Sequence, residues 1–355
     1  MNSRERVITV LQHKKPDRVP LMELWIDAKV VQALRPNGSW NDLVAQLGMD
    51  VVTVPTMVYG PEEIEWMDKA NGLFRDKWGA LQQLTEEAVP VPANPPRIET
   101  EKDLAEYRAP DPARSLVISK IAALKKKYPD GEKAIAVIGE SGWAPGVFLR
   151  GGLENILLDL ALRPEFVGQL MEIGANYYCE LYRLTIAAGA DIILLGDDYA
   201  GKNGLMMSPA QFEEIILPAD RKVVQAIKNA GGYCIKHTDG DIRKIMDALV
   251  STGLDCLGPL EPLPGMELQS VLRRYPGKIS VMGNIDVDLL SRGTTDEVVL
   301  ATKRCLAAVA PDGAHILSSG NSISSSVKPE NFLAMINTAK SFGHYPINPI
   351  SLLGP

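Results

Sequence analysis

The sequence predicts an α/β protein, a single (β/α)8 TIM barrel, on three observations. Eight short apolar runs rich in β-branched residues alternate with longer segments of helical period, the pattern of a parallel sheet covered by helices. From the third run onward the spacing leaves room for one helix between neighbours. Eight such repeats close into a barrel more naturally than they lie open as a doubly wound sheet, which is the alternative. Polar residues stand directly after several runs, where barrel enzymes carry their reactive groups.

The runs cover residues 19–24, 50–54, 134–139, 191–196, 232–236, 255–260, 278–283 and 314–318. The gap between the second and third is too long for one helix. Within it, EIEWMDKANGLFRDKWGALQQL reads as a hairpin, with Asn71-Gly72 supplying the positive φ values of a tight type I′ turn. Asn94-Pro95-Pro96 then marks a loop, and helical segments follow to Lys127. Residues 56–130 are therefore expected to form a rim insertion of hairpin plus helices, either a lid or a purely structural addition.

Composition narrows the function classes. The 355 residues, 46% of them hydrophobic, can bury a large core. The balance of 37 basic and 44 acidic residues, a net charge of -7, argues against nucleic acid as the main partner. Cys179, Cys234, Cys256 and Cys305 are scattered without CxxC spacing, which suits a reducing compartment. The opening MNSRERVITVLQHKKPDRVP has no apolar stretch of a secretory signal, and no apolar run approaches the about 20 residues of a membrane span. The expectation is a cytoplasmic protein with no membrane partner.

The run ends carry Glu23, then Glu140, then Asp197, Asp198 and Tyr199, then His237 and Asp239, then Glu261, Asn284, Ser318 and Asn321. A barrel gathers these into one ring, rich in carboxylates and holding a single histidine. Of the four histidines, His13 and His344 lie near the ends of the chain and His315 inside the eighth run; His237 alone falls at a run's end. On an extended segment His237 and Asp239 point to the same side, so both can converge on one metal or substrate; a rim hydrogen bond is the plainer alternative. At least one of Asp197 and Asp198 should face the pocket, unless they cap a helix or pair with Lys202 or Lys236. Glu261 could complete a His/Asp/Glu set suited to zinc or another divalent ion, or accept a substrate hydrogen bond. Gly320-Asn321-Ser322 and Ser324 to Ser326 could offer backbone N–H groups to an anion or form an ordinary loop.

Five blocks in order, RERVITVLQHKKPDRVP, LLGDDYAGKNGLMMSPAQFEEIILP, IKHTDGDIRKIMDALVSTGLDCLGPLEPLPGMEL, VMGNIDVDLLSRGTTDEV and ILSSGNSISSSVKPENFLAMI, resemble the uroporphyrinogen decarboxylase superfamily over nearly the whole chain. The resemblance implies one barrel over residues 1–355 and one of two chemistries: cofactor-free decarboxylation of uroporphyrinogen, or methyl transfer to or from a corrinoid. The decarboxylases carry an arginine-rich block after strand one and an aspartate near the end of strand two. Here VPLMELWIDA has no arginine and VVTVPTMVYG no aspartate. The methyltransferase branch is the closer match. Its thiol-methylating members bind zinc through a His-x-Cys pair and a later cysteine, and the matching positions are His237, Asp239 and Asn321. Oxygen-bearing residues in place of both sulfurs argue against a thiol acceptor and leave a harder zinc site of His237, Asp239 and Glu261.

The resemblance thus implies a corrinoid-dependent methyltransferase, an O-demethylase component. It would move a methyl group from a small methoxylated substrate to the cob(I)alamin of a partner corrinoid protein. The chain carries no DxHxxG-type cobalamin motif, which fits a separate carrier. His237, Asp239, Glu140, Asp197 and Asp198 are the expected catalytic residues. Glu23, Tyr199, Asn284, Ser318 and Asn321 are expected to bind substrate. A lyase acting on a small carboxylated substrate, and a methylcobalamin-dependent transferase working in the opposite direction, are the alternatives. The resemblance also implies a homodimer.

Overall fold

The protein, described here by a computed structural model covering residues 1–57, 63–85 and 90–353, turns seven of the eight runs into one parallel sheet. Its strands in chain order are β1 (Val51–Pro55), then, after an inserted antiparallel sheet of β2 (Glu65–Asp68), β3 (Leu73–Arg75), β4 (Leu81–Gln83) and β5 (Val91–Pro92), β6 (Ala134–Gly139) and β7 (Ile192–Leu195). A short hairpin, β8 (Ala200–Gly201) and β9 (Gly204–Leu205), precedes β10 (Tyr233–Lys236), β11 (Cys256–Leu257), β12 (Ser280–Met282) and β13 (His315–Ile316). The parallel order is β1-β6-β7-β10-β11-β12-β13, so each strand is laid beside its predecessor and the sheet winds in one direction.

Side chains alternate across this curled sheet. Ile192 and Leu194 of β7, with Ala134, Ala136, Ile235 and Met282, form an inner apolar cluster, while Ile193 and Leu195 join the larger cluster under the helices. The helix Ser3–Leu11 contributes Val7, Val10 and Leu11 to the inner cluster. Its start is fixed by a capping box between Asn2 and Glu5.

The first run departs from expectation. Residues 19–24 make isolated bridges, Leu21 with Leu317, rather than a regular strand. Pro20 has no N–H to give to a ladder, and the Leu21 N–H goes to the Asp50 carboxylate at 2.8 Å. The run still spans the sheet's two edges: the Asp50 N–H donates to the Leu21 carbonyl (2.9 Å), and the Leu317 N–H to that of Pro20 (2.9 Å). Asp50, fully buried, also receives Arg6 (2.7 Å) and Arg18 (2.8 and 2.9 Å), so its charge is matched as a buried carboxylate requires.

The hairpin expected around Asn71-Gly72 is present, with Trp66 opposite Phe74, and extends to four antiparallel strands. Its turn is not type I′. Gly72 has φ 73°, but Asn71 is not at positive φ, and the connection runs over residues 69–72. The Asp68 carboxylate accepts the Asn71 side-chain and backbone N–H groups (2.7 and 3.2 Å), which stabilises this wider loop. The helix Leu116–Lys127 then leads back to β6. No helix among the described residues is long and apolar enough to cross a membrane.

Candidate active site

The strand register sets the site. Gly139 pairs with Leu195 and Leu195 with Lys236, so the next residues, Glu140, Gly196 and His237, leave the sheet at one level. They open into a cavity of about 720 Å³ at the carboxyl ends of the strands. Its lining combines apolar and aromatic side chains, among them Trp25, Met57, Trp143, Val147, Phe148 and Met206, with Glu140, Asp197, Asp198, His237, Asp239 and Asn321, six residues singled out from the sequence.

His237 is the hub of the polar lining residues. It is buried, and its Nδ1 lies 2.7 Å from the Pro259 carbonyl, which can only accept, so Nδ1 carries a proton. Nε2 then faces Asp239 Oδ1 at 3.1 Å and Asp198 Oδ1 at 4.0 Å. Asp198 also accepts the Asp239 backbone N–H at 2.8 Å, and Asn321 Nδ2 donates to Asp239 Oδ1 at 2.6 Å. Burial pulls the imidazole pKa down, but the hydrogen bond to Asp239 and the charge of Asp198 outweigh it, and the net shift is upward. A lone pair on Nε2 facing two carboxylates calls for a cation between them, either the ring's own second proton or a metal ion. One ligand atom from each of Asp198, His237 and Asp239 lies within 4.8 Å of the others. One imidazole nitrogen and two carboxylate oxygens beside an open cavity form a donor set that fits zinc or a similar divalent ion.

A buried network supports this cluster. The Asp197 carboxylate accepts the backbone N–H of Ala144 (2.7 Å) and of Ser141, and the Ser141 hydroxyl (2.7 Å). It thereby anchors the start of the helix Trp143–Leu149, which carries part of the aromatic wall. Of the two adjacent aspartates, one anchors a helix and the other joins the histidine. Lys236, 2% exposed, donates to the Asp197 carbonyl at 2.7 Å and lies over the Tyr199 ring at 4.4 Å. Tyr199 donates to Asp220 (2.8 Å), whose carboxyl is pushed up to about 6, chiefly by burial.

Glu140 differs from its neighbours. It is 5% exposed, its Oε2 has no hydrogen-bond partner, and it lines the cavity beside Gly196. Burial first, then the nearby charge of Asp197, holds its carboxyl well above the usual range, which favours the protonated form.

Four residues expected to bind substrate do not line this cavity. Tyr199 is fully buried behind it and its hydroxyl is taken by Asp220. Ser318 is buried with its hydroxyl on the Ser319 carbonyl (2.6 Å). Glu23, 2% exposed, is held by the Ser319 N–H (3.0 Å) and hydroxyl (2.6 Å). Asn284 is half-buried outside the lining. Glu261 is not gathered with His237 and Asp239; Asp198 takes the third place, and Glu261 lines a neighbouring cavity of about 880 Å³ that shares Asn321. Lys236, weighed from the sequence as an ion-pair partner of the two aspartates, supports Asp197 through its backbone carbonyl; sequence reasoning missed the aromatic wall, since an apolar residue at a strand end or helix start reads as core. Asp220 carried no signal, being one acid in the first turn of the helix Leu217–Asn229.

Known proteins agree with this architecture. A model of the uroporphyrinogen decarboxylase (URO-D) family matches residues 2–342. The chain is 24% identical over 260 residues to the uroporphyrinogen decarboxylase of Cupriavidus necator, covering 68% of each chain. It is 27% identical over 215 residues to that of Parasynechococcus marenigrum, covering 58% of each. Among solved structures, a methyltransferase from Methanosarcina mazei superposes with a TM-score of 0.73 at 16% identity, over 96% of this chain and 99% of that one. A B12-independent methionine synthase from Shewanella sp. W3-18-1 gives 0.52 at 13% identity, over 93% and 96%. At such identities the structural likeness speaks for the fold. The family match over nearly the whole length settles membership: the chain belongs to the uroporphyrinogen decarboxylase family.

Proposed function

We propose that this chain is a cytoplasmic methyltransferase that moves a methyl group from the oxygen of a small methoxylated compound to the cob(I)alamin of a separate corrinoid protein. In this reading the sheet and residues 19–24 act as one closed (β/α)8 barrel, with residues 56–130 as its rim insertion. The observation that carries the proposal is the Asp198–His237–Asp239 cluster in a cavity lined by aromatic residues and by the buried carboxyl of Glu140, whose Oε2 has no hydrogen-bond partner. A lyase acting on a polycarboxylate would call for cationic side chains, and among the described residues no lysine or arginine lines the cavity.

The chemistry divides between the substrates and the chain. The reduced corrinoid supplies the electron pair that forms the new bond to the methyl carbon. As the C–O bond breaks, its electron pair stays on oxygen, and that oxygen needs a proton or a Lewis acid. In this reading Glu140 gives the proton, leaving a neutral alcohol or phenol. Asp198, His237 and Asp239 would hold a divalent ion whose positive charge steadies the same oxygen. The aromatic wall orients the donor and excludes water.

The test is an anaerobic spectral assay. Protein and cob(I)alamin are mixed with methoxylated aromatics, methanol or methylamines, with and without zinc. The proposal expects the methylcobalamin spectrum to grow with a methoxylated donor. Growth with methylamines alone would refute the oxygen specificity.

A further inference from the structure

We infer that Gly258 is a positioning residue for the metal cluster: its bare Cα lets the loop after β11 close against β12, and that closure delivers the Pro259 carbonyl to His237 Nδ1. The inference rests on the reading of Asp198, His237 and Asp239 as holders of a divalent ion. A neutral imidazole can bind a metal through either nitrogen, and the partner of one nitrogen decides which. Here the Pro259 carbonyl, 2.7 Å from Nδ1, takes that nitrogen and leaves Nε2 to the cluster. Two flanking hydrogen bonds set where the carbonyl stands. The Gly258 N–H donates to the Lys236 carbonyl at 2.8 Å, which registers the loop on the residue before His237. The Leu260 N–H donates to the Met282 carbonyl at 3.3 Å, at the end of β12. Pro259 between them has no N–H, and its ring fixes φ, so its neighbours aim its carbonyl.

This path has no room for a side chain at position 258. Gly258 has φ 133°, a conformation open to glycine, and a Cβ there would lie 2.2 Å from the Met282 oxygen and 2.9 Å from its carbonyl carbon. That carbonyl cannot step back. Met282 is fully buried in the inner cluster, and β12 is laddered to β11 on one side and β13 on the other. A side chain at 258 must therefore lift the loop off β12 and carry the Pro259 carbonyl away from the ring. Beyond about 3.5 Å the hydrogen bond is lost, and the imidazole is free to turn or to offer its other nitrogen. Partners of this kind govern metal affinity by roughly 10–100-fold.

The experiment compares Gly258→Ala with Gly277→Ala in a cobalt(II) titration followed by visible absorption. Gly277 also has positive φ, 67°, but nothing lies within 4 Å of its Cβ, so its variant carries the backbone strain without the displacement. Gly258→Ala should bind cobalt at least about tenfold more weakly and with an altered spectrum, while Gly277→Ala keeps the affinity and spectrum of the unmodified protein. Equal affinity and spectrum in the two variants overturns the inference and leaves the metal reading standing. A second measurement uses the unmodified protein and holds even where Gly258→Ala does not fold. Loaded with an NMR-active cadmium isotope, it should show coupling from the metal to both ring C–H protons of His237, the mark of attachment through Nε2. Coupling to Hε1 alone, the mark of Nδ1, overturns the inference. Failure of the unmodified protein to bind either ion overturns the metal reading and the inference with it.

Discussion

Replacing Glu23 by glutamine should remove most of one group's contribution to the pH dependence of stability. Ser319 Oγ lies 2.6 Å from Glu23 Oε2 and 3.0 Å from the Asn321 carbonyl. The one Ser319 hydroxyl proton is shared between these two acceptors, and a protonated Glu23 relieves that competition because it can donate to Ser319 Oγ and leave the hydroxyl proton to the Asn321 carbonyl. Burial pushes this carboxyl from 4.5 up to about 8. Between these values the folded chain keeps a proton that the unfolded chain releases. The stabilisation is therefore complete below the unfolded value and is lost as pH rises through the folded one. The slope is about 1.4 kcal/mol per pH unit, or roughly 4 kcal/mol between pH 5 and 8. Glutamine keeps the geometry, since its amide can donate to Ser319 Oγ and accept the Ser319 N–H. Urea unfolding of both proteins at pH 5, 6, 7 and 8 gives the difference, in which every other titration cancels. A difference that shows no trend with pH would refute the reasoning.

Three further outcomes follow from the same geometry. His237→Ala should abolish methyl transfer and zinc retention while far-UV circular dichroism is kept, and retained activity would place the site elsewhere. In a cobalt(II) titration, Asp198→Asn should weaken binding by at least about tenfold. Glu261→Gln should change it by no more than about 0.5 kcal/mol, because Glu261 is outside the cluster. Lys236→Met should cost about 3–5 kcal/mol in denaturant unfolding, since it leaves the Asp197 carbonyl without its donor and Asp220 without a counter-charge in the interior; a loss under 1 kcal/mol would show that the network relaxes.

Much of the fold was legible because β-branched runs in a parallel sheet are dictated by period and length alone. The second to eighth runs became strands within a few residues of their expected ends. The first failed at Pro20, a local veto that a propensity count of apolar residues does not weigh. The type I′ turn failed because Asp68 captures Asn71, a side-chain contact that two-residue turn chemistry leaves out. At the site, strand-end position and the i, i+2 relation brought out His237 with Asp239. Which third residue would join them depended on loop geometry, and Asp198 stands where Glu261 was expected. Glu23, Tyr199 and Ser318 lie outside the cavity lining, a distinction the sequence does not carry because polar residues at strand ends look alike. Their hydroxyls and carboxyl are engaged by Ser319 and Asp220.

The central claim is that a methyl group leaves an oxygen of the donor. Its most direct test uses a donor labelled as O–CD3, incubated anaerobically with this protein and a reduced corrinoid carrier, with mass spectrometry of both products. The account predicts the intact CD3 group on the corrinoid and a matching amount of the free hydroxyl compound. Carbon dioxide released from a carboxylated donor, with no label on the corrinoid, would contradict it.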